Sequence, residues 1–255
     1  MTIRVAVVGA GGRMGRTICA AIAADNDLNL VAAVDPGAAG TTVHGVTISA
    51  ELEAVTHSGS EVAIDFTVAP AARVTIAWLA ANGVHAVVGT TGFDDKDLDT
   101  FRSLFTSSNC LIASNFSISA VLMMRFAEIA APHFETAEII ELHHDGKADA
   151  PSGTAVATAN RMAAASNDWA PDSTRHEVFP GARGGVGPAG IHIHSVRLRG
   201  LQAHQEVVLG TVGQSLTIRQ DSYDNSSYLP GILLACKAIA DRPGVTLGLD
   251  AYLDI

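Results

Sequence analysis

The chain has 255 residues, 48% of them hydrophobic and 16% charged, with a formal net charge of -10. That balance can bury a substantial core and excludes a disordered chain. The acid excess leaves no basic stripe to displace counterions, which argues against nucleic acid as a partner but leaves anionic small molecules open.

Ile3–Val8 is an apolar, β-branched run of the kind expected for a buried parallel strand. It leads into GAGGRMG and a helical pattern that puts Ile18 and Ile22 on one face, up to Ala24. Leu28–Val34 predicts a second buried strand ending at Asp35, and the Gly- and Thr-rich stretch Gly37–Val46 reads as loop. The pattern then recurs. Val62–Phe66 precedes a helix from Ala69 to about Asn82, Ala86–Val88 runs into GTTGF, a charged helix covers Asp94–Phe105, and Cys110–Ala113 runs into SNFS. Such alternation implies βαβ units and a parallel sheet.

After Asn115 the character changes. Val121–Ala131 predicts a helix, Glu138–Leu142 a strand and Thr154–Ala164 an Ala-rich helix, followed by a Pro- and Gly-rich excursion over Ala170–Gly190. Three alternating runs, Ile191–Leu198, Glu206–Thr211 and Ser215–Gln220, predict an antiparallel sheet, making the second half α+β. Pro230–Ala240 reads as a helix with Pro in its first turn, and Val245–Leu249 as a short strand. No internal repeat is present. Cys19, Cys110 and Cys236 form neither a CxxC pair nor a disulfide framework, so core positions are expected for them. There is no signal-peptide pattern and no apolar run of about 18 residues, so a soluble, cytoplasmic protein is expected.

Gly9, Gly11, Gly12 and Gly15 lie between a strand and a helix, where glycines let backbone N–H groups approach a pyrophosphate at the helix N-terminus. The spacing is not a strict GxGxxG. Its context carries it: Asp35 ends the next strand about 20 residues on, where a carboxylate accepts from ribose hydroxyls. Arg13 is open to two readings, a solvated charge or a partner for a 2′-phosphate, which Asp35 would repel. The loops at Gly89-Thr90-Thr91 and Ala113–Phe116 end further strands and are expected to face the same nucleotide.

Glu141–Ala155, ELHHDGKADAPSGTA, is densely polar directly after an apolar strand. His143 or His144 can deliver a proton near neutral pH, and Lys147 can hold a carboxylate or donate. Gly153 and Thr154, with the Ser152 and Thr154 hydroxyls, form an anion-binding turn at a helix N-terminus. Together these suit hydride reduction of a cyclic imine-like acid. Adjacent strand residues point to opposite faces, so His143 and His144 do not readily share an ion, and no metal is expected.

GAGGRMG, Asp35, IDFT, VVGTTGF, ASNFS, ELHH…K and DAPSGTA, in this order, resemble the dihydrodipicolinate reductases along the whole chain. The resemblance implies NADH or NADPH as cofactor and reduction of 4-hydroxy-tetrahydrodipicolinate, a dicarboxylate, in the diaminopimelate–lysine pathway, by a homotetramer. It implies an α/β fold with a Rossmann-like nucleotide-binding domain (1–115 with 229–255) and an inserted α+β substrate-binding and tetramerisation domain (116–228). By motif, His143 is the general acid/base and Lys147 the proton donor or carboxylate partner; His144, Ser152, Gly153 and Thr154 bind substrate. Gly9, Ala10, Gly11, Gly12, Arg13, Met14, Asp35, Gly89, Thr90, Thr91, Ala113, Ser114, Asn115 and Phe116 contact the dinucleotide.

The chain departs from the family's pattern at three places. Asp145-Gly146 stands where basic or polar residues are common, which adds negative charge beside an anionic substrate. Pro36 stands where many members carry an Arg suited to NADPH, and Asn225 where Arg is frequent. Asp145-Gly146 is the one feature favouring an alternative, a nucleotide-sensing protein of the same fold without turnover.

Overall fold

The computed structural model of the chain describes residues 2–255. In chain order the elements are β1 (Ile3–Val8), α1 (Arg13–Ala24), β2 (Leu28–Val34), β3 (Thr42–Val43), β4 (Val46–Ser49), α2 (Glu53–His57), β5 (Val62–Asp65), α3 (Ala69–Ala81), β6 (His85–Val88), α4 (Asp95–Leu104) and β7 (Cys110–Ile112). Then come α5 (Ile118–Ala130), β8 (Thr136–His143), α6 (Gly153–Ala165), β9 (Gly185–Val186), β10 (His192–Arg197), β11 (Ala203–Thr211) and β12 (Gln214–Ser222). The chain closes with α7 (Leu229–Ala238) and β13 (Val245–Leu247). Two compact units result, Met1–Phe116 with Tyr228–Ile255, and Ser117–Ser227.

The first unit is built on one eight-stranded sheet in the order β13-β7-β6-β5-β1-β2-β4-β3. All neighbours run parallel except β3 and β4. The central strands are buried on both faces along most of their length, as their largely apolar sequences require. On one side Ala6, Val8, Ile76, Leu79, Val88 and Phe101 belong to a shared core. Helix α1 buries Gly15, Ile18, Cys19 and Ile22, and α4 starts with a reciprocal cap between Asp94 and Asp97. All three cysteines are buried and unpaired, and burial pushes the Cys19 thiol up to about 11 and that of Cys236 to about 12.

The segment read as loop, Gly37–Val46, contains a hairpin. His44 and Gly45 both adopt positive φ, 44° and 81°, and join β3 to β4. A two-residue turn with that geometry matches the twist of the flanking strands, and glycine at its second position removes half of the steric cost.

The second unit carries a five-stranded sheet in the order β12-β11-β8-β10-β9. This corrects the expected run of three antiparallel neighbours. Strand β11 is antiparallel to β12, but its other neighbour is β8, and β10 lies beyond β8 and parallel to it. A parallel pair needs a long crossover, and α6 with the excursion after it supplies one. Gln205 of β11 donates to the Thr158 hydroxyl of α6 at 2.8 Å, so alternate residues of β11 face that helix.

Candidate functional site

In the first unit a cleft opens where β1, β2 and β5 end. Gly9 has φ 84° and begins the turn after β1. A Cβ there would lie 2.8 Å from the Phe66 carbonyl oxygen, one on Gly11 would lie 2.8 Å from Asp35 Oδ2, and one on Gly15 would lie 2.0 Å from the Gly9 carbonyl oxygen. These glycines are therefore sterically required. The loop amides are tied into the protein: Gly9 and Ala10 donate to the Val34 carbonyl, Gly11 to Asp35 and Gly12 to the Gly9 carbonyl. Gly12 caps α1 with no side-chain bond, so the first-turn amides at Arg13 and Met14 are the donors left for an anion.

Asp35 accepts from Gly11 N and Gly37 N, both at 2.9 Å, which fixes its carboxylate at the end of β2. A cleft of about 690 Å³ opens there, lined by Gly9, Gly12, Asp35, Pro36, Glu51, Glu53, Thr67, Val68 and Trp78 among others. The Arg13 side chain is exposed. Gly89 has no room for a side chain, since a Cβ would sit 2.2 Å from the Phe66 ring. That ring in turn packs on Phe116 with centroids 5.7 Å apart. Thr90 and Ala113 are buried, Asn115 half-buried, Thr91 and Ser114 exposed. The cradle, the uncapped helix end and the fixed carboxylate fit a dinucleotide.

In the second unit the polar stretch is organised by Glu141, which is 0% exposed. It sits on the inward face of β8 with Ala137 and Ile139. Arg197 of β10 holds it in a two-pronged pair, Nη1 to Oε2 and Nη2 to Oε1, both 2.8 Å. Ser152 N donates to Oε1 at 3.1 Å, and His143 Nδ1 lies 2.5 Å from Oε2. Burial works against the charge on Glu141, but hydrogen bonds from Arg197, Ser195 and His143 keep its carboxyl below the usual range. Glu141 thereby sets the His143 tautomer with Nδ1–H donating and Nε2 carrying the lone pair. Burial holds His143 below its ordinary pKa; Glu141 opposes that, while Lys147 and Arg197 add to it.

Lys147 Nζ is bonded to both Asp149 oxygens, at 2.7 and 3.0 Å. His144 is exposed, as is Asp145, which pairs with Arg199 at 2.9 Å. Ser152 caps α6, its hydroxyl accepting from Ala155 N at 3.2 Å. Gly153 is exposed, with nothing within 4 Å of where a Cβ would stand. Asn225 accepts from Gln202 at 3.4 Å. His143, Lys147, Ser152 and Gly153 thus gather at one end of the sheet with Glu141 and Arg197. No cluster of three or more His, Cys, Asp or Glu arranged to hold a metal occurs among the described residues.

Arg197 and the roles of Phe66 and Thr67 were not anticipated. A signal for Arg197 did exist: a glutamate at an inward position of an apolar strand demands a cation.

The sequence profile of the dihydrodipicolinate reductase N-terminus matches residues 3–116, and that of the C-terminus matches residues 119–253. The 4-hydroxy-tetrahydrodipicolinate reductase of Nocardia farcinica is 51% identical over 262 positions, covering 100% of both chains. That of Corynebacterium aurimucosum is 47% identical with the same coverage. The structure of dipicolinate-bound dihydrodipicolinate reductase from Paenisporosarcina sp. TG-14 superposes with a TM-score of 0.90 at 36% identity, over 98% of this chain and 99% of that one.

Proposed function

The chain belongs to the dihydrodipicolinate reductase family, and from that premise we propose that it reduces 4-hydroxy-tetrahydrodipicolinate to tetrahydrodipicolinate with NADH or NADPH, a step of diaminopimelate and lysine biosynthesis. One hydride and one proton enter, and the 4-hydroxyl leaves as water. The bound dinucleotide supplies the hydride. The observation that carries the reading is the pair of buried Glu141 and half-buried His143, 2.5 Å apart, on a full-length match to reductases.

In this reading His143 handles the proton at Nε2, with Glu141 holding the opposite ring nitrogen and stabilising the imidazolium. An anionic substrate raises the affinity of His143 for its proton, offsetting the burial that depresses it in the free protein. Lys147 exchanges one Asp149 contact for a substrate carboxylate. The first turn of α6, at Gly153 and Thr154, takes an anionic group, and the exposed His144 is a further group for the substrate. Ser152 contributes mainly by capping α6 and tying it to Glu141. The glycine turn, Asp35, and the loops at Gly89–Thr91 and Ala113–Phe116 hold the dinucleotide.

The chemistry and the dinucleotide pool it draws on favour a cytoplasmic location, and no helix among the described residues is long and apolar enough to cross a membrane. A homotetramer is part of the proposal. The face of the second sheet opposite α6 carries half-buried Ile140, Leu142, Val196 and Val208, suited to packing against a second copy. The reading without turnover rests on Asp145, whose charge is already met by Arg199.

The purified protein is expected to oxidise NADH or NADPH when given the condensation product of pyruvate and aspartate semialdehyde. His143→Ala and Lys147→Ala should each lower kcat by about 10²-fold. Absence of nucleotide oxidation by folded protein would sink the activity. Full rates in both variants would overturn the roles and leave the activity standing.

A further inference from the structure

Asp65 ends β5 and is 0% exposed. Its Oδ1 accepts three hydrogen bonds: from Thr90 Oγ1 at 2.7 Å, from Thr67 Oγ1 at 2.8 Å and from Thr67 N at 3.1 Å. Thr67 N also donates to Thr90 Oγ1 at 2.9 Å. Its Oδ2 is sealed from solvent and makes no well-formed hydrogen bond, although the Thr75 hydroxyl lies close enough to the carboxyl to favour its charge. A charge left in that position would be poorly compensated, and burial pushes the carboxyl above its ordinary range.

Thr67 and Thr90 follow β5 and β6, adjacent parallel strands of the sheet. A single oxygen therefore holds two loops in register. A third loop leans on the same node: a Cβ on Gly9 would lie 3.1 Å from Thr67 Cγ2 and 2.8 Å from the Phe66 carbonyl oxygen. Displacing Thr67 displaces the surface on which the Gly9 turn rests. Gly9 and Thr67 both line the cleft at Asp35.

We infer that Asp65 is a positioning residue for dinucleotide binding, fixing Thr67 and Thr90 through Oδ1, and the Gly9 turn through Thr67. The inference rests on the dinucleotide-reductase reading for the identity of the ligand, and Asp65 itself touches no cofactor in it. The bonds from Thr67 and Thr90 all end on one acceptor oxygen, so the positioning does not need the charge. An asparagine, which keeps one oxygen and the same shape, should serve.

The test is calorimetric titration of NADH into wild type, Asp65→Asn and Asp65→Ala, with pyridine-2,6-dicarboxylate titrated into each as a control for the other unit. The Kd for NADH is expected to rise about tenfold or more in Asp65→Ala, where three hydrogen bonds lose their acceptor, and to stay within about threefold in Asp65→Asn. The dicarboxylate Kd should not move in either. Unchanged NADH affinity in Asp65→Ala overturns the inference. So does an Asp65→Asn protein as weak as the alanine variant, or an equal loss of dicarboxylate affinity, which marks a general structural role. Should Asp65→Ala fail to fold, the Thr67→Val and Thr90→Val pair removes the side-chain donors at constant volume. It should weaken NADH several-fold, and wild-type affinity in that pair counts against the inference. A wild-type protein that binds no dinucleotide refutes the reductase reading instead.

Discussion

Asp35 commits both carboxylate oxygens to its own surroundings, Oδ2 to Gly11 N and Oδ1 to Gly37 N. It cannot swing away from a ligand without releasing the glycine turn. Glu51 and Glu53 line the same cleft, and Pro36 supplies no cation. A 2′-phosphate arriving there would meet fixed negative charge, whereas a ribose hydroxyl finds acceptors. The protein is therefore expected to use NADH with a kcat/KM about tenfold or more above that for NADPH. Asp35→Ser should narrow the ratio chiefly by improving NADPH. Steady-state kinetics with both nucleotides check this, and equal use by the wild type would refute it. Much of this was legible in the sequence, because a strand-end acid after a glycine turn is a local pattern. That a glutamate on the inward face of β8 needs a cation was legible too, but not that Arg197 supplies it, since the two lie 56 residues apart and only tertiary pairing of β8 with β10 brings them together.

At the scale of elements, the centre of the parallel sheet was readable because β1, β2, β5, β6 and β7 are short, mainly apolar runs between turn signals, whereas β3 and β4 at its edge carry no such run. In the second sheet β10 departs from the expected order, because its alternation suits either neighbour. Strand order there is decided by the crossover through α6, which leaves no local mark. The hairpin at His44-Gly45 carries no Asn-Gly, Asp-Gly or Gly-Gly pair, the local signal for a two-residue turn of positive φ, and its strands are very short. Helix α6 was legible from its Pro-Ser-Gly-Thr start, and its first turn can be tested apart from its stability. Gly153 begins the helix, and a Cβ there meets nothing within 4 Å. Gly153→Ala should thus be neutral or stabilising by about 0.4–1 kcal/mol, through lower entropy of the unfolded chain. If a substrate carboxylate packs against this turn, the added methyl should still raise KM for the dicarboxylate about tenfold while leaving KM for the nucleotide alone. Thermal melts and kinetics on one preparation separate the two effects. An unchanged substrate KM would remove the first turn of α6 from the binding site.

For the whole molecule, burial and pairing of titratable groups set how stability responds to pH. His85 in the first unit and His143 in the second are both held below the ordinary 6.5, chiefly by burial. His85 Nδ1 also accepts from Asn109 N at 2.9 Å, a bond lost if that nitrogen takes a proton. Above about 6.5 both imidazoles are neutral, folded or unfolded, and contribute no pH dependence. As pH falls through that value the unfolded chain binds protons first, so stability is lost until the folded pKa values are passed. Glu138 and Glu141 act in the same direction at lower pH. Both are kept below the usual 4.5 by cationic partners despite burial, Arg183 and His194 for the first, Arg197 and His143 for the second. Their contribution is full above 4.5 and is lost as pH falls through their folded values. Asp65 runs the other way: its raised pKa makes its contribution greatest in acid, and that contribution is lost as pH rises from 3.8 through the folded value. One buried acid is set against two histidines and two glutamates, so acid should destabilise the protein. Calorimetric Tm, at fixed protein concentration, is expected to fall between pH 7.5 and 5.5 and more steeply below 4.5. The His85→Gln, His143→Gln double variant should flatten the upper part of that curve and leave the lower part steep. A wild-type Tm that is level down to pH 5.5, or a double variant that follows the wild-type slope, would show that these two imidazoles do not carry the dependence.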